Sequence, residues 1–209
     1  MGLLAKLRKI PQALANPREY AWVLEDGVAR LRGLAYRHGY RILTRGRVDI
    51  GPGFVAECAL HVRGPGHVTI GEGCRIRRSN LQEPAIITLS PDARVEIGAH
   101  STMGGLRVRC ADRVTFGAQL LAAKTTVTDT DYGLRGEPAP GARPVEVGEN
   151  CWLGVETAVC PGVRLGKNVV VSGGTVVTRD MPDDTMAMGN PARSVKLPRP
   201  PAPGSGGRA

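Results

Sequence analysis

The sequence predicts an all-β protein that is built as a parallel β-helix and preceded by a helical segment. An aliphatic residue recurs at every sixth position near the C-terminal end. Valine occurs 21 times, whereas Phe, Tyr and Trp together number eight. The 209 residues also include 28 glycines and 16 prolines. β-Branched residues favour strands, and Gly and Pro favour turns, so we expect many short strands.

The strongest pattern is the period of six between residues 147 and 177. It fits neither an amphipathic helix nor an alternating strand, but it fits a coil in which a short strand and a turn repeat. Three such units would make one triangular turn, with aliphatic side chains stacked inside and a small residue, most often glycine, at the next position. The recurring aliphatics are Val147, Leu153, Val159, Leu165, Val171 and Val177.

Aliphatic–glycine pairs also occur earlier in the chain, but at irregular spacing. We therefore predict a β-helix domain over residues 48–196 whose early coils are interrupted by loops. The clearest loop is residues 130–144, and the Pro- and Gly-rich residues 197–209 are predicted to be a disordered tail. The early pairs are Ile50-Gly51, Ile70-Gly71, Ile97-Gly98 and Phe116-Gly117.

Residues 1–47 are predicted to form a basic, amphipathic helical segment, interrupted at Pro11. They contain ten Lys or Arg and three acidic residues, which is +7 of the chain's net charge of +9. We predict that the apolar face after Pro11 packs against the β-helix while the arginines are solvated. The alternative is that this face lies on an anionic membrane. The face is formed by Trp22, Val23, Leu24, Val28, Leu31, Leu34 and Ala35.

Composition excludes several classes of protein. The five cysteines form no CxxC pair and are odd in number, which argues against a disulfide framework or a zinc ribbon and favours a reducing compartment. No run of 18 apolar residues occurs. No nucleic-acid-binding motif accompanies the positive charge, so we predict no nucleic-acid partner. We expect a cytoplasmic protein, with the basic segment as a potential link to the inner face of the membrane.

Four motifs near the C-terminal end carry a resemblance to a known family: PVEVGENCWLG (144–154), PGV (161–163), SGGTVVTRD (172–180) and GNPAR (189–193). With them the chain resembles the hexapeptide-repeat acyltransferases, most closely the galactoside and maltose O-acetyltransferases. The resemblance implies a left-handed parallel β-helix, a homotrimer, and acetyl-CoA bound between neighbouring subunits as the acyl donor.

The resemblance also implies which residues bind acetyl-CoA. Backbone groups at Val155 and Gly173 would contact the pantetheine arm, and Trp152 would line its acetyl end. Cations at the other end would hold the phosphates through charge-assisted hydrogen bonds. The complete predicted set is Trp152, Val155, Gly173, Thr178, Arg179, Arg193 and Lys196.

Acyl transfer to a hydroxyl requires a base to accept the hydroxyl proton. The family places a histidine after the coil that precedes the long loop, but this chain has Asp129 or Gly133 there, depending on the alignment. We therefore predict Asp129 and Asp131 as the catalytic candidates, since burial can raise the pKa of a carboxyl group. A turn-forming role for this Asp-Thr-Asp run is the alternative, and His100 is a further candidate. We expect His38, His61 and His67 to be exposed or hydrogen-bonded.

These observations lead to one principal hypothesis and two others. The first is an O-acyltransferase that moves an acetyl or other short acyl group from acyl-CoA to a hydroxyl of a sugar or glycan precursor. The second is a hexapeptide-repeat scaffold or CoA-binding protein without a working base. The third places an active trimer at a membrane. The γ-class carbonic anhydrases share the expected architecture, but the spacing of the histidines does not suit their zinc site, so no metal is predicted.

Overall fold

The computed structural model describes residues 17–79, 82–131 and 141–196, with side chains from residue 24 onward. Within these ranges the chain forms one α-helix followed by a left-handed parallel β-helix, as predicted. The strands, β1–β20 in chain order, stack into three sheets that form the sides of the coil. All neighbouring strands pair in parallel except β19 and β20, which are antiparallel.

Sheet A contains, in spatial order, β1 (Val48–Ile50), β4 (His67–Ile70), β7 (Arg94–Ile97), β10 (Arg113–Phe116), β13 (Val145–Val147) and β16 (Arg164–Leu165). Sheet B contains β2 (Val55–Ala56), β5 (Arg75–Ile76), β8 (Thr102–Gly104), β11 (Leu121–Ala123), β14 (Trp152–Leu153), β17 (Val170–Val171), β19 (Thr185–Met188) and β20 (Arg193–Lys196). Sheet C contains β3 (His61–Arg63), β6 (Ala85–Thr88), β9 (Arg107–Cys110), β12 (Thr126–Thr128), β15 (Ala158–Val159) and β18 (Val176–Val177).

The six aliphatics that recur between residues 147 and 177 are all buried, with side chains stacked inside the coil. Paired residues of successive coils are 18 positions apart in this region, as Glu146 and Arg164 are. The separation is 27 positions between Thr69 and Glu96, and 31 between Thr115 and Glu146. These longer coils carry loops after β5 and after β12.

The early aliphatic–glycine pairs, irregular in sequence, are in register in space. Ile50 pairs with Ile70, Ile70 with Ile97, and Ile97 with Phe116, all at the ends of sheet A strands. The glycine that follows must approach the next coil closely. A Cβ on Gly98 would lie 2.4 Å from the backbone nitrogen of Ala118, for example. Glycine is therefore required at these positions because the next coil leaves no room for a Cβ.

Helix α1 (Pro17–Leu43) covers the first coil and contacts β1 and β2. Its side chains pair with backbone groups at the edge of that coil. The Tyr40 hydroxyl donates to the Leu60 carbonyl at 2.7 Å, and the Arg32 guanidinium donates to the carbonyls of Ala56 and Glu57 at 3.3 and 2.9 Å. An unpaired backbone group is costly to bury. Helix α1 therefore covers the edge of the first coil and also supplies hydrogen-bond donors to its backbone carbonyls.

The face of α1 that packs on the β-helix is not the predicted one. The helix is buried at Ala29 and Gly33, where small residues allow a close approach. The apolar residues predicted to pack are instead exposed: Leu24 by 51%, Val28 by 53%, Leu31 by 68% and Leu34 by 51%. The prediction is wrong because the edge of the first coil exposes backbone carbonyl groups. These groups need hydrogen-bond donors, which Tyr40 and Arg32 supply, so the face of α1 with these residues packs on the coil.

Several predictions lie outside the described residues. They are the segment before Pro17 with its interruption at Pro11, the side chains of Trp22 and Val23, most of the 130–144 loop, and the tail at 197–209. In the described part of the chain, no helix combines the length and apolar character needed to span a bilayer.

Candidate functional site

The residues predicted to contact the pantetheine arm lie at the corner between sheets B and C. Val155 follows β14, and Gly173 follows β17 one coil later. The N–H of Gly174 donates to the Val155 carbonyl at 2.9 Å, so the two corners are stacked. A Cβ on Gly173 would lie 3.2 Å from that carbonyl oxygen. This corner therefore offers an accessible strip of backbone, as the prediction requires.

Trp152 lies beside this corner on the outer face of sheet B. Its side chain is 52% exposed, and Val155 is 43% exposed. Trp152 belongs to a row of outward-facing residues that are paired in register along the β-helix axis. The row consists of Leu121, Trp152, Val170, Met186 and Val195. It gives the predicted site an apolar wall.

Two of the predicted cations, Arg179 and Arg193, lie near each other at the C-terminal end of the same corner. The turn between β19 and β20 stacks on the corner, since the Ala192 N–H donates to the Val176 carbonyl at 2.9 Å. The Arg179 guanidinium donates to the Ala192 carbonyl at 3.1 Å, which places it beside the exposed Arg193. Thr178, also exposed, immediately precedes Arg179. This is a cationic end suited to phosphate groups.

Lys196 is separated from this pair. Strand side chains alternate between faces, so Arg193 and Lys196, three positions apart in β20, lie on opposite faces. Arg193 pairs with Met188, and Lys196 with Thr185, at the other end of the hairpin. Within one chain the arrangement thus supports a phosphate site at Arg179 and Arg193 more directly than at Lys196.

Asp129, one of the two predicted bases, is completely buried. Its carboxylate accepts hydrogen bonds from the backbone N–H groups of Ala111 and Asp112, both at 2.8 Å. Burial and the adjacent carboxylate raise the pKa of the Cys110 thiol, which donates to Oδ2 of Asp129 at 3.4 Å. Through hydrogen bonds to these three partners, Asp129 stabilises the turn between β9 and β10. This geometry favours the turn-forming alternative for Asp129.

Asp131 is accessible, with a side chain that is 66% exposed and an ion pair to Arg143 at 3.1 Å. Cys160 is close to this pair. Burial raises the pKa of its thiol, the Asp131 carboxylate raises it further, and the Arg143 guanidinium lowers it. Of the two predicted carboxylates, Asp131 is the one that an acceptor hydroxyl could reach.

The histidines are distributed over the β-helix and its covering helix. His100 occupies a turn with a φ of 58°, and its Nε2 lies 3.9 Å from a Glu72 carboxylate oxygen. His61 is paired with Glu83, with 2.9 Å between Nε2 and Oε2. His38 and His67 are exposed. Among the described residues, no group of three metal-ligating side chains converges.

A groove of about 720 Å³, which was not predicted from the sequence, lies on the outer face of sheet C. His61 and Glu83 lie at one end and Thr126 at the other, and three arginines, Arg63, Arg107 and Arg109, line it. A signal was present in the sequence. The alternating segments His61-Val-Arg63 and Arg107-Val-Arg109 place polar side chains on one face of a strand.

Comparisons with known proteins agree with the repeats and the fold. A family model described as the hexapeptide repeat of succinyl-transferase matches residues 144–179. Galactoside O-acetyltransferase of Lactococcus lactis is 34% identical over 105 residues, which are 50% of this chain and 44% of that protein. The alignments with curated relatives cover 28% to 44% of the length of those proteins.

Two solved structures have similar folds. The polysialic acid O-acetyltransferase OatWY is 25% identical, with a TM-score of 0.58 over 72% of this chain and 74% of that chain. AntD, an N-acyltransferase from Bacillus cereus solved with dTDP and coenzyme A, is 18% identical, with a TM-score of 0.57 over 72% of this chain and 83% of that chain. Residues 144–179 therefore match the hexapeptide repeat, and the described part of the chain has the fold of these two acyltransferases.

Proposed function

We propose that this protein is an acyl-CoA-dependent O-acyltransferase that transfers an acetyl or other short acyl group to a hydroxyl of a sugar or glycan precursor. The observation that carries the proposal is the alignment of three features along one corner of the β-helix. Gly173 leaves backbone uncovered next to Val155, Trp152 lies beside them, and Arg179 and Arg193 lie at the C-terminal end. A long polyanion with a narrow arm would fit this arrangement.

In the proposed reaction, the acceptor oxygen attacks the thioester carbonyl, a C–O bond forms, and the C–S bond breaks. The base takes the hydroxyl proton, and the departing CoA thiolate receives a proton in turn. Asp131 is our proposed base because its carboxylate is exposed, whereas that of Asp129 is buried. Asp131 follows β12 at the edge of sheet C opposite the Val155 corner, so it would act on acyl-CoA bound by a neighbouring copy of the chain. Backbone N–H groups would stabilise the oxyanion of the tetrahedral intermediate.

We also propose a homotrimer, as the family resemblance implies. The exposed apolar row that contains Trp152 and Val195 supports this assembly, because a neighbouring copy could cover it and complete the site. A non-catalytic scaffold is the second candidate. It is favoured by the absence of histidine at positions 129 and 133 and by the buried state of Asp129.

Replacing Arg179 and Arg193 together by alanine should weaken acetyl-CoA binding by about 2–4 kcal/mol if both contact phosphate groups. Isothermal titration of the full-length protein measures this, and release of free thiol in the same samples reports turnover. The control is R94A/R113A, which removes two exposed arginines from sheet A. Unchanged affinity of the R179A/R193A variant for acetyl-CoA would show that these arginines do not contact its phosphate groups. Tight binding without thiol release, whichever acceptor is added, would favour the scaffold.

We propose in addition that helix α1 attaches the protein to an anionic membrane surface. The exposed residues Leu24, Val28, Leu31 and Ile42 recur at intervals of three, four or eleven positions, so they form one apolar stripe along α1 that is distinct from its buried residues Ala29 and Gly33. The segment's +7 charge complements anionic lipid headgroups. Apolar contact and electrostatic attraction together are the two contributions that an interfacial helix requires.

The variant L31Q/I42Q should partition to anionic vesicles at least about tenfold less than the unmodified protein, because burying such side chains contributes about 1.5–3 kcal/mol each. Vesicle sedimentation measures the change. Point substitutions are preferable to deletion of α1, whose removal would expose the first coil. H67Q/T69Q, with two exposed side chains of β4 replaced, is the matched control. Equal partitioning of all three proteins would contradict the proposal, and a change in oligomeric mass alone would assign the stripe to another copy of the chain.

A further inference from the structure

The groove on sheet C has a charged rim and an apolar floor. Ala85 and Ile87 form part of its floor, on the same outer face as the arginines. Register explains the arrangement: His61 pairs with Ala85 and Ala85 with Arg107, while Arg63 pairs with Ile87 and Ile87 with Arg109. Arg63 and Arg109 are therefore two strands apart, roughly 10 Å. Arginines at this spacing can contact an elongated ligand at more than one point.

The charge of the groove is strongly positive. Glu83 is the one carboxylate among its lining residues, and it is paired with His61. Across the described residues, neither Arg63 nor Arg107 has an acidic partner. Guanidinium groups bind carboxylates and phosphates through paired hydrogen bonds. The lining thus matches a ligand that carries oxyanion groups.

The groove also leads to the proposed acyl-CoA site. Its far end, Thr126, pairs with Ala158, and the Thr126 N–H donates to the Thr157 carbonyl at 2.9 Å. Ala158 is three positions after Val155, on the same coil. A ligand lying along the groove would therefore point one end toward the corner where the thioester is proposed to lie.

We propose that this groove is the acceptor site, and that the acceptor is a glycan or sugar that bears a carboxylate or phosphate group. The inference rests on the proposed acyltransferase function and specifies its substrate class. Arg63 and Arg107 hold the oxyanion group, and the apolar floor contacts the C–H face of a sugar ring. The volume of about 720 Å³ lies within the range of roughly 300–1,000 Å³ that is typical of small-molecule binding sites.

The test compares ligand binding to the unmodified protein and to R63Q/R107Q. Three probes are titrated calorimetrically: an oligosaccharide of glucuronic acid, a sugar 1-phosphate, and a neutral oligosaccharide of the same length as the first. The double variant should bind the anionic probes at least about tenfold more weakly. Its affinity for acetyl-CoA should be unchanged, which separates this site from the proposed CoA site. The matched control R94Q/R113Q makes the same change of charge on sheet A.

Each outcome decides the proposal. Preference for the oligosaccharide or for the sugar phosphate identifies carboxylate or phosphate as the recognised group. Equal binding of the neutral probe, no binding of any probe, or equal weakening by R94Q/R113Q would overturn the acceptor site. If the anionic probes bind as proposed but no thiol is released from acetyl-CoA, the groove is an anion site and the acyltransferase function fails separately.

Discussion

Replacing Asp129 by alanine should destabilise the fold by about 3 kcal/mol. The substitution removes the carboxylate that accepts hydrogen bonds from the part-buried N–H groups of Ala111 and Asp112, and a hydrogen bond to a charged group contributes about 1.5–3 kcal/mol. For a chain of this size we expect the melting temperature to fall by roughly 6–12 °C. Thermal unfolding followed by circular dichroism measures the effect.

The comparison variant is Asp131→Ala, which removes a carboxylate that is exposed and paired only at the surface. Such ion pairs contribute at most about 1 kcal/mol, so this variant should melt close to the unmodified protein. The two variants also separate the structural and catalytic roles. If Asp129→Ala kept full stability and lost acyl transfer, Asp129 would be the base and the structural assignment would be wrong.

Replacing Gly33 by alanine should detach helix α1 from the first coil. An added Cβ would lie 2.0 Å from the carbonyl oxygen of Phe54, and this oxygen cannot rotate away because it belongs to the backbone. Overpacking of this kind costs typically 1–3 kcal/mol, and we expect a loss at the upper end of this range, because the whole helix must shift. Chemical denaturation measures the free energy of unfolding.

Gly39→Ala provides the matched control within the same helix. Among the described residues, no atom outside the neighbouring backbone of α1 lies within 4 Å of a Cβ built on Gly39, so the change replaces a flexible residue by a good helix former. It should stabilise the protein by about 0.5–1 kcal/mol. If Gly33→Ala and Gly39→Ala both lost stability, α1 would tolerate no added side chain at either position. The contact with Phe54 would then not be the cause of the loss in Gly33→Ala.

The β-helix could be predicted from the sequence because its period is local. Val147 and Leu153 already show that each sixth side chain points inward, and all six members of that series are buried. The register of the early coils could not be predicted in this way. Ile70 and Ile97 are paired neighbours, yet the loop between them is longer than in the regular coils, and loop length follows no period.

The orientation of α1 and the details of the site depend on contacts between distant residues. The apolar pattern at Leu24 and Leu31 predicted the wrong packing face, because the first coil is contacted by Tyr40 and Arg32 through hydrogen bonds. Asp129 illustrates the same difficulty. Its sequence position resembles that of a catalytic residue, whereas its partners, 17 and 18 residues earlier, are adjacent only in the folded coil.

Parallel coils stacked along one axis form sheets whose terminal strands could, in principle, add further strands without limit. Exposed strand edges of this kind promote end-to-end association and fibre growth. This chain closes one end with α1, whose Tyr40 and Arg32 occupy the edge carbonyls. At the other end β20 reverses direction and pairs antiparallel with β19, which interrupts the parallel stack of sheet B. Helix α1 and strand β20 thus cover strand edges at the two ends of the coil, which disfavours end-to-end polymerisation.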